Sequence, residues 1–575
     1  MSTAKLGPQE RAAAWHALGA AEFDVLVVGG GVTGAGVALD AATRGLRTAL
    51  VEARDFASGT SSRSSKLFHG GLRYLEQLNF GLVREALHER DLMVNRIAPH
   101  LVKPVAFLYP INHRVWERPY ITAGLTLYDS LARVGALSDP MPVHKHLTRT
   151  GARQLFPALR PDALVGAVRY YDAQADDARH TLTVARTAAH YGAVVRNSTE
   201  VVEVLREGER VVGARLRDVD SGDEQELRAR VTINCTGVWT DDVQKLAGGR
   251  GRFRVRASKG VHIVVPRDRI AAEVGLILKT EKSVLFVIPW GSHWIVGTTD
   301  TDWELDKAHP AASRTDIDYI LDHVNTVLTT PLTHDDIEGV YAGLRPLLAG
   351  ESDDTSQLSR EHAVARPQPG LFSVAGGKYT TYRVMAADAV DAAAADLDRP
   401  VPASVTDRVP LVGAEGYHGL VNQARSLAQD YRLETWRMEH LLNRYGSLVS
   451  EVLAPAEHDL TLLQPLHGAE EYLRAELLYG ATHEGAVHLD DLLARRTRIS
   501  IETVHRGSDS ARAAGELVAE ALGWDSGRLD NEVEVYQARV AAERASQEEV
   551  DDQSADAARL LAPDARKVAV GRALG

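Results

Sequence analysis

The chain has 575 residues, of which 45% are hydrophobic and 25% charged, and its formal net charge is −13. A chain of this length exceeds one hydrophobic core and should divide into about two to four domains of ordinary globular composition. The acidic balance argues against a nucleic-acid partner, and the single cysteine, Cys235, excludes intramolecular disulfides and cysteine-rich metal sites.

Two further classes are disfavoured by the hydropathy pattern. The sequence opens with no basic region followed by an apolar run, as a secretory signal would. The longest uncharged stretch, 283–299, is too short and too interrupted to span a bilayer. We therefore expect a cytosolic protein, or one on the cytosolic face of a membrane.

The first element with a chemical signature is a strand, turn and helix near the N-terminus. The apolar run 25–28 predicts a buried parallel strand, and it breaks at Gly29-x-Gly31-x-x-Gly34 before a helix with a small-residue face. These glycines allow a tight turn, close backbone approach to a pyrophosphate and close helix packing. The next apolar strand ends in Glu52, where a carboxylate can bind ribose hydroxyls. The combination predicts a dinucleotide site.

The position of this unit favours FAD among the dinucleotides. Glu52 suits an unphosphorylated ribose, so NAD and FAD fit and NADP does not. Two later glycine breaks follow apolar strands, at Thr236-Gly237 and Gly376-Gly377, and no second fingerprint for a nicotinamide cofactor occurs. FAD is long and draws on sheet ends far apart in sequence, which matches this distribution.

The remaining pattern predicts an α/β chain of interleaved domains. The FAD-binding Rossmann-like domain is expected within 20–400, at about 20–100, 190–245 and 340–400. An antiparallel-sheet substrate-binding domain is inserted at about 100–190 and 250–340, with a hairpin at Gly291-Ser292. An α-helical C-terminal domain is expected at about 405–546, with helices at 433–444, 470–479, 509–522 and 531–545. Residues 547–575 are expected to form a solvated tail.

Several spaced motifs resemble the FAD-dependent (aerobic-type) glycerol-3-phosphate dehydrogenases. They are Thr-Ser-Ser-Arg-Ser-Ser-Lys-Leu-Phe-His-Gly-Gly-Leu-Arg-Tyr-Leu-Glu at 60–76, Lys-Gly-Val-His-Ile-Val-Val-Pro at 259–266, Gly-Thr-Thr-Asp at 297–300, Gly-Leu-Arg-Pro-Leu at 343–347 and Gly-Gly-Lys-Tyr-Thr-Thr-Tyr-Arg at 376–383. They occur in the family's order over roughly 20–400. The motifs His-Glu-Gly at 483–485 and Asp-Asp-Leu-Leu-Ala-Arg-Arg-Thr at 490–497 resemble the family's C-terminal domain.

The resemblance implies oxidation of sn-glycerol 3-phosphate to dihydroxyacetone phosphate, with hydride passing from C2 to flavin N5 and electrons passing to a membrane quinone. It also implies a homodimeric enzyme, peripheral on an anionic membrane at the inner face of the cytoplasmic membrane. An oxidase that hands electrons to oxygen and releases hydrogen peroxide would share every site residue, so it stays as the alternative. An amine oxidase and a nucleotide sensor without catalysis do not account for the cationic site residues, and a flavoprotein acting on transfer RNA would need a basic face, which the net charge of −13 disfavours.

The site residues follow from the motifs and from the substrate that they imply. Phosphate needs cationic donors, best supplied by arginine, and hydride loss from an alcohol needs a proton acceptor. We expect catalytic roles for His262, Arg345 and Lys378. Substrate contacts are expected from Arg73, Tyr74, Arg360 and Thr381. FAD contacts are expected from Gly29, Gly31, Gly34, Glu52, Thr60, Ser61, Ser62, Thr236, Gly237, Gly376 and Gly377, and no metal ligands are expected.

One segment has the composition of a membrane-surface helix. Residues 115–137 mix aromatic and aliphatic side chains, including Trp116 and Leu127, with arginines. Such a mixture fits a helix lying on anionic lipid and equally fits an amphipathic helix packed against the core.

Overall fold

The computed structural model describes residues 4–71, 79–111, 124, 126, 128, 141–248, 254–280, 284–349 and 362–566. Its strands are β1 (Glu22–Val28), β2 (Thr48–Val51), β3 (Leu67–Phe68), β4 (Lys103–Ile111), β5 (Lys145–Thr148), β6 (Gly166–Gln174), β7 (Val194–Arg196), β8 (Thr199–Glu207), β9 (Arg210–Asp218), β10 (Glu224–Asn234), β11 (Val255–Pro266), β12 (Gly275–Lys279), β13 (Val284–Trp290), β14 (His293–Gly297), β15 (Thr301–Trp303), β16 (Gly339–Leu348), β17 (His362–Gln368), β18 (Leu371–Gly376), β19 (Pro465–Leu466) and β20 (Ala469–Leu473). Its α-helices are α1 (Pro8–Ala20), α2 (Val32–Thr43), α3 (Phe80–Leu92), α4 (Arg149–Leu155), α5 (Asp177–His190), α6 (Thr240–Leu246), α7 (Arg314–Asn325), α8 (Tyr382–Ala394), α9 (Tyr417–Asn422), α10 (Ala424–Asp430), α11 (Thr435–Tyr445), α12 (Val449–Leu453), α13 (Arg474–His483), α14 (Leu489–Asp491), α15 (Ile499–Glu502), α16 (Ala511–Leu522), α17 (Ser526–Ser546) and α18 (Asp552–Arg559).

The first sheet carries the glycine fingerprint. Its main path has the order β17-β18-β10-β1-β2-β7, and β18, β10, β1, β2 and β7 run parallel. Helices α2, α5 and α8 pack on one face, while α1 and the antiparallel pair β8–β9 cover the other. Both faces are thus buried, which explains the unbroken apolar runs in these strands. The carboxyl ends of β1, β2, β10 and β18 meet at one edge, where parallel sheets bind ligands.

The second sheet is antiparallel apart from the β12–β4 pair. Its order is β15-β11-β14-β13-β12-β4-β6-β3, with β16 on β11 and β5 on β6. The hairpin predicted at Gly291-Ser292 joins β13 to β14, with Gly291 at a φ of +51°. Helices α4 and α7 cover one face, which leaves the other face of β11 and β16 to border the first sheet.

Three elements lie on the other side of the expected domain boundaries. Strand β16 belongs to the second sheet, although the sequence placed 340–400 in the FAD-binding part. Strand β3 also joins the second sheet, by pairing with β6. Helix α5 packs on α2 of the first sheet, although 100–190 was assigned to the substrate domain. A hydrophobic pattern indicates that a segment is a strand or a helix, but it carries no information about which sheet the segment joins.

The C-terminal region is helical around two cores, with the expected helices appearing as α11, α16 and α17. The prediction of a helix over 470–479 is wrong for its first part, because β19 and β20 form a hairpin and α13 begins only at Arg474. The turn depends on Gly468, whose φ is +75°, a conformation that reverses the chain before any helix can start.

Residues 548–551 are exposed, but the prediction of a solvated tail is wrong for the buried face of helix α18 and for Arg566. Helix α18 packs on its neighbours, with Ala555 fully buried, and Asp552 forms an ion pair with Lys259 of β11. Beyond it, Arg566 is buried against Asp491 at 2.9 Å. Both ion pairs join this segment to residues far away in the sequence, and a local count of charges cannot reveal such partners. Within the described residues no helix combines the length and hydropathy needed to cross a membrane.

Candidate active site

A cavity of about 650 Å³ lies where the parallel strands of the first sheet end. The glycine turns after β1, β10 and β18 form one part of its wall, and the faces of β11 and β16 from the second sheet form another. The volume falls within the range of cofactor and ligand sites, roughly 300–1,000 Å³. The two sheets thus enclose a single site at the expected edge.

The glycine fingerprint has the geometry that the sequence predicts. Gly29 has a φ of +109°, and a Cβ there would lie 2.8 Å from the carbonyl oxygen of Cys235. A Cβ on Gly34 would lie 1.8 Å from the carbonyl oxygen of Gly29, so only glycine permits this approach of α2 to β1. Gly31 lies on the cavity wall at the N-terminus of α2, where backbone amides and the helix dipole favour a phosphate.

Glu52 lies at the end of β2 and on the cavity wall. Its carboxylate accepts hydrogen bonds from the backbone amides of Gly30, at 2.6 Å, and of Arg54, at 2.8 Å. Burial raises the pKa of Glu52, and these two hydrogen bonds oppose the shift. Glu52 therefore fixes the glycine turn and borders the cavity.

The other residues expected at the dinucleotide divide into two groups. Thr60, Ser61, Thr236, Gly237, Gly376 and Gly377 line the cavity. The Ser61 hydroxyl accepts a hydrogen bond from the amide of Val32 at 2.9 Å, and Thr60 donates to the carbonyl of Leu344 at 2.6 Å. Ser62 lines a separate, smaller cavity, and its carbonyl accepts a hydrogen bond from Lys66 at 3.2 Å.

His262 projects from β11 and lines the cavity beside β16. Its ring stacks on Tyr341 with a centroid separation of 4.7 Å, and its Nε2 lies 2.9 Å from the Ser65 hydroxyl. Its Nδ1 has no hydrogen-bond partner among the described residues. The pKa of His262 lies well below its usual value, because of burial and then the positive charges of Arg345 and Lys66. The imidazole is therefore neutral near pH 7.

Arg345 lies on the same wall, four residues along β16 from Tyr341. Its Nη2 donates to the Thr298 hydroxyl at 3.1 Å, and its Nη1 lies 3.2 Å from a carboxylate oxygen of Asp300. A Cβ on Gly260 would lie 2.5 Å from Nη2, so the glycine makes room for the guanidinium. The Gly-Thr-Thr-Asp motif thus holds Arg345 in place, a function for which the sequence carried no signal beyond the motif.

The segment after β18 places Lys378 on the cavity wall. Thr381 does not line the cavity, since it is buried and its hydroxyl lies 3.5 Å from the carbonyl of Lys378. Its neighbour Thr380 lines the cavity instead, and its hydroxyl accepts a hydrogen bond from the amide of His69 at 3.1 Å. The predicted substrate ligands Arg73, Tyr74 and Arg360 lie outside the described residues.

Distant carboxylates and arginines fix the hydroxyl-rich loop 58–66. Asp177 of α5 accepts hydrogen bonds from the Ser64 amide at 2.9 Å and from the Lys66 ammonium at 2.8 Å. The Asp55 carboxylate, just before this loop, accepts two hydrogen bonds of 2.7 Å from Arg496 of the C-terminal domain. Sequence reasoning missed these partners, which lie more than a hundred residues away along the chain.

The comparisons with known proteins agree with this geometry. A family model described as FAD dependent oxidoreductase matches residues 24–397, and one described as the C-terminal domain of alpha-glycerophosphate oxidase matches residues 404–529. The chain is therefore an FAD-dependent oxidoreductase, and the expected fold class and cofactor are confirmed. The cavity fits such a cofactor, since the Gly29 turn, the α2 N-terminus and Glu52 supply a phosphate and ribose cradle.

Relatives define the family more narrowly. Glycerol-3-phosphate dehydrogenase 2 of Mycobacterium tuberculosis is 63% identical over 563 residues, covering 98% of this chain and 96% of that protein. The crystal structure of glycerol-3-phosphate dehydrogenase from Bacillus halodurans complexed with FAD is 29% identical, with a TM-score of 0.76 over 94% of this chain and 98% of that one. L-alpha-glycerophosphate oxidase from Mycoplasma pneumoniae shares the fold at 18% identity, with a TM-score of 0.53 over 68% of this chain and 99% of that one. This chain belongs to the FAD-dependent glycerol-3-phosphate dehydrogenase family.

Proposed function

We propose that this chain oxidises sn-glycerol 3-phosphate to dihydroxyacetone phosphate and passes the electrons to a membrane quinone. The observation that carries the proposal is that His262, Arg345 and Lys378 all line the cavity that also contains the dinucleotide cradle. Two cations suit a phosphate dianion, and a neutral imidazole suits an alcohol proton. The sequence relatives named as glycerol-3-phosphate dehydrogenases support this reading.

His262 is proposed as the group that takes the proton of the C2 hydroxyl. Its pKa, which burial and two neighbouring cations hold well below the usual value, keeps the ring neutral at physiological pH. Nδ1 is enclosed and Nε2 lies 2.9 Å from the Ser65 hydroxyl, so we assign the ring proton to Nδ1, which leaves the Nε2 lone pair to accept a proton. Stacking on Tyr341 fixes the plane of the ring. FAD supplies the complementary chemistry, acceptance of a hydride at flavin N5.

Arg345 and Lys378 are proposed to bind the phosphate and to orient C2. Arg345 is held by Thr298 and Asp300 at 3.1 and 3.2 Å, so its fork need not be ordered when substrate binds. Lys378 approaches from the opposite sheet, at the start of the turn before α8. Arg73, Tyr74 and Arg360 remain predicted substrate ligands on the basis of the sequence motifs, whereas Thr381 does not line the cavity and is not proposed as one.

The test compares substrates and acceptors with one purified holoenzyme. Flavin absorbance should bleach anaerobically with sn-glycerol 3-phosphate and not with glycerol, because the cationic pair would bind the phosphate. Lys378→Met and Arg345→Met should each lower kcat/KM by about tenfold to a hundredfold or more, as expected for charge-assisted hydrogen bonds. Bleaching at the native rate in both variants would contradict the assignment.

The acceptor distinguishes the dehydrogenase from the oxidase. Turnover with a soluble quinone should exceed turnover with oxygen, and little hydrogen peroxide should form. Rapid oxygen-dependent turnover with stoichiometric peroxide would favour the alternative, glycerol-3-phosphate oxidase, whose fold is also similar to this one. Either result leaves the substrate and the site unchanged.

Membrane association and dimerisation complete the proposal. A quinone acceptor requires contact with the bilayer, and we place this contact on the sequence pattern of 115–137, which lies almost wholly outside the described residues. The homodimer rests on the resemblance to the family. Co-sedimentation with anionic vesicles at low salt, reversed by high salt, tests the membrane contact. Trp116→Asp and Leu127→Asp should weaken this co-sedimentation. Light scattering, which measures the mass of the particle in solution, tests the homodimer.

A further inference from the structure

A second cavity, of about 120 Å³, lies behind the loop that contains Ser62 and Arg63. Its other walls are the segment 308–312, the C-terminal domain and the C-terminal residues 562–566. At roughly 10–15 Å³ per water molecule on this measure, the space exceeds what a few bridging waters require. The cavity shares Arg54, Ser58 and Arg63 with the wall of the larger cavity, so its contents bear on the dinucleotide site.

The described wall of this cavity is strongly basic. Seven arginines line it against four carboxylates. Five of the seven arginines form an ion pair shorter than 3.0 Å. These pairs are Arg54 with Asp564 (2.8 Å), Arg495 with Asp55 (2.6 Å), Arg498 with Asp176 (2.6 Å), Arg539 with Asp490 (2.8 Å) and Arg566 with Asp491 (2.9 Å).

The other two arginines lack an equivalent partner. Arg63 donates to the carbonyl of Ala308 at 3.3 Å, and no carboxylate of the described residues lies within ion-pair distance of it. Arg559 is only 6% exposed and has Glu543 at 3.5 Å, a carboxylate that Arg539 contacts more closely, at 2.9 Å.

The surrounding charges are mostly positive at Arg63 and of both signs at Arg559. The pKa of Arg63 is lowered to about 9, first by burial and then by the charges of Arg495, Arg539 and Arg559. Burial likewise lowers the pKa of Arg559, where the charge of Glu543 opposes the shift and that of Arg539 adds to it. The carboxylates on the wall, those of Asp490, Glu532, Glu543 and Asp564, are all engaged by other cations. Among the described residues, no wall carboxylate is therefore left to pair with Arg63.

We propose that this cavity binds a small tetrahedral oxyanion, either inorganic phosphate or the phosphate of a small ester, between Arg63 and Arg559. Both guanidinium groups present forks that match two oxygens of such an ion. The ion would connect the hydroxyl-rich loop of the dinucleotide site to helix α18. Binding should therefore stabilise the packing of the C-terminal segment and slow the release of FAD.

The experiment measures phosphate binding to the holoenzyme apart from the substrate site. Equilibrium dialysis with labelled inorganic phosphate is carried out on native, K378M and R559M proteins, with R512M, a surface arginine paired with Asp530, as the matched control. We expect two phosphates per native chain, one per chain in both K378M and R559M, and two in R512M. Phosphate should also raise the thermal midpoint of K378M above that in chloride of equal ionic strength.

The outcomes separate this site from the proposed function. If R559M binds as many phosphates as the native protein, or if K378M binds none, the oxyanion site does not exist. If K378M binds two and R559M one, the cavity site stands and the phosphate role of Lys378 falls. R63K, which keeps the charge and loses the fork, should weaken binding at the second site at least fivefold and serves if R559M does not fold. In K378M, sn-glycerol 3-phosphate displacing phosphate at lower concentration than phosphate itself would identify an ester as the ligand.

Discussion

Among single residues, Glu52 combines a structural role with a proposed ligand role. Its carboxylate joins the Gly30 amide of the fingerprint to the Arg54 amide of the following loop, at 2.6 and 2.8 Å. A carboxylate that already accepts two backbone hydrogen bonds is pre-organised, so little entropy is lost when it also accepts ribose hydroxyls. Its position at the end of β2 follows directly from the sequence pattern.

Glu52→Ala should therefore release FAD much faster. The substitution removes two charge-assisted backbone contacts and the ribose acceptor, and we expect dissociation to accelerate at least about tenfold to a hundredfold. The rise of free-flavin fluorescence after dilution measures the rate. Glu203→Ala, at a surface glutamate paired with Arg215 at 2.9 Å, is the control and should leave the rate unchanged. Equal FAD retention in both variants would remove Glu52 from the cofactor site.

His262 leads to a prediction about pH. Its pKa is held well below the usual value by burial, Arg345 and Lys66, so protonation should inactivate the enzyme only well below pH 6.5. The acidic limb of kcat/KM should accordingly lie below that value, and His262→Asn should lower kcat by about 10²–10⁴. The pH profile under anaerobic dye-linked turnover measures both.

Lys66→Met should move this limb towards higher pH, because one of the cations that depress the pKa is removed. His334→Asn, at a surface histidine, is the control for a histidine substitution. A native profile that falls with a midpoint near pH 6.5, or a fully active His262→Asn, would show that another group accepts the proton.

Among the elements, the turn that ends at Arg496 of the C-terminal domain supports the dinucleotide site. Arg496 donates to both oxygens of Asp55, and Arg495 donates to the same carboxylate at 2.6 Å. Asp55 is fully buried and lies three residues beyond Glu52. The C-terminal domain therefore reaches the cofactor loop through charges rather than through its apolar core.

Arg496→Met should leave part of the buried Asp55 charge unpaired. Removing one partner from a buried ion pair typically costs about 3–5 kcal/mol, and we expect FAD occupancy and the thermal midpoint to fall together. Flavin absorbance per chain and calorimetry measure the two quantities. Arg512→Met is the matched surface control. A variant that loses stability and yet keeps full FAD occupancy would restrict Arg496 to a purely structural role.

Features of the fold that depend on neighbouring residues were predicted from the sequence, whereas features that depend on residues far apart in the chain were missed. The Gly29 turn, Glu52 and the Gly291-Ser292 hairpin depend on neighbours in the chain, so spacing alone located them. The hairpin before α13 was missed because helical spacing and a short strand after a turn look alike over five residues. The pairing of Asp55 with Arg496 joins residues more than four hundred positions apart. No local pattern encodes such a pair.

The same limit applies within the site. The sequence motifs predicted His262, Arg345 and Lys378 as site residues, and all three line the cavity. Their roles in the reaction stay predictions. Thr381 shows how little a motif specifies, since its neighbour Thr380 occupies the wall instead. Ser65, Tyr341 and Asp300, which hold His262 and Arg345, could not be singled out, because hydrogen-bond partners across strands depend on register.

At the scale of the whole molecule, the buried His488 joins the first sheet to the C-terminal domain through ion pairs. Its Nε2 lies 2.9 Å from Asp220, after β9, and its Nδ1 lies 2.9 Å from Glu532 of α17. These carboxylates raise the pKa of His488 to about 9, although burial and Arg566 oppose the shift. The folded protein therefore keeps this histidine protonated at pH values where the unfolded chain has released the proton.

This link should make stability fall in alkaline solution. Because the folded pKa exceeds the unfolded value of about 6.5, the stabilisation is complete below pH 6.5 and is lost as the pH rises through 9. The shift corresponds to about 3–4 kcal/mol at most. Urea unfolding of the holoenzyme between pH 6 and pH 10 should show this loss in the native protein, with a much smaller loss in His488→Asn.

Two further substitutions test whether His488 is the group that causes the pH dependence. His458→Asn, at an exposed histidine of the C-terminal domain, should keep the native pH dependence. Asp220→Asn should reduce the dependence as His488→Asn does, because it removes one of the two carboxylates that hold the proton. If the native protein and His488→Asn lose stability in parallel between pH 6.5 and 9, His488 is neutral in the folded state. The two parts of the chain would then be joined there by neutral hydrogen bonds.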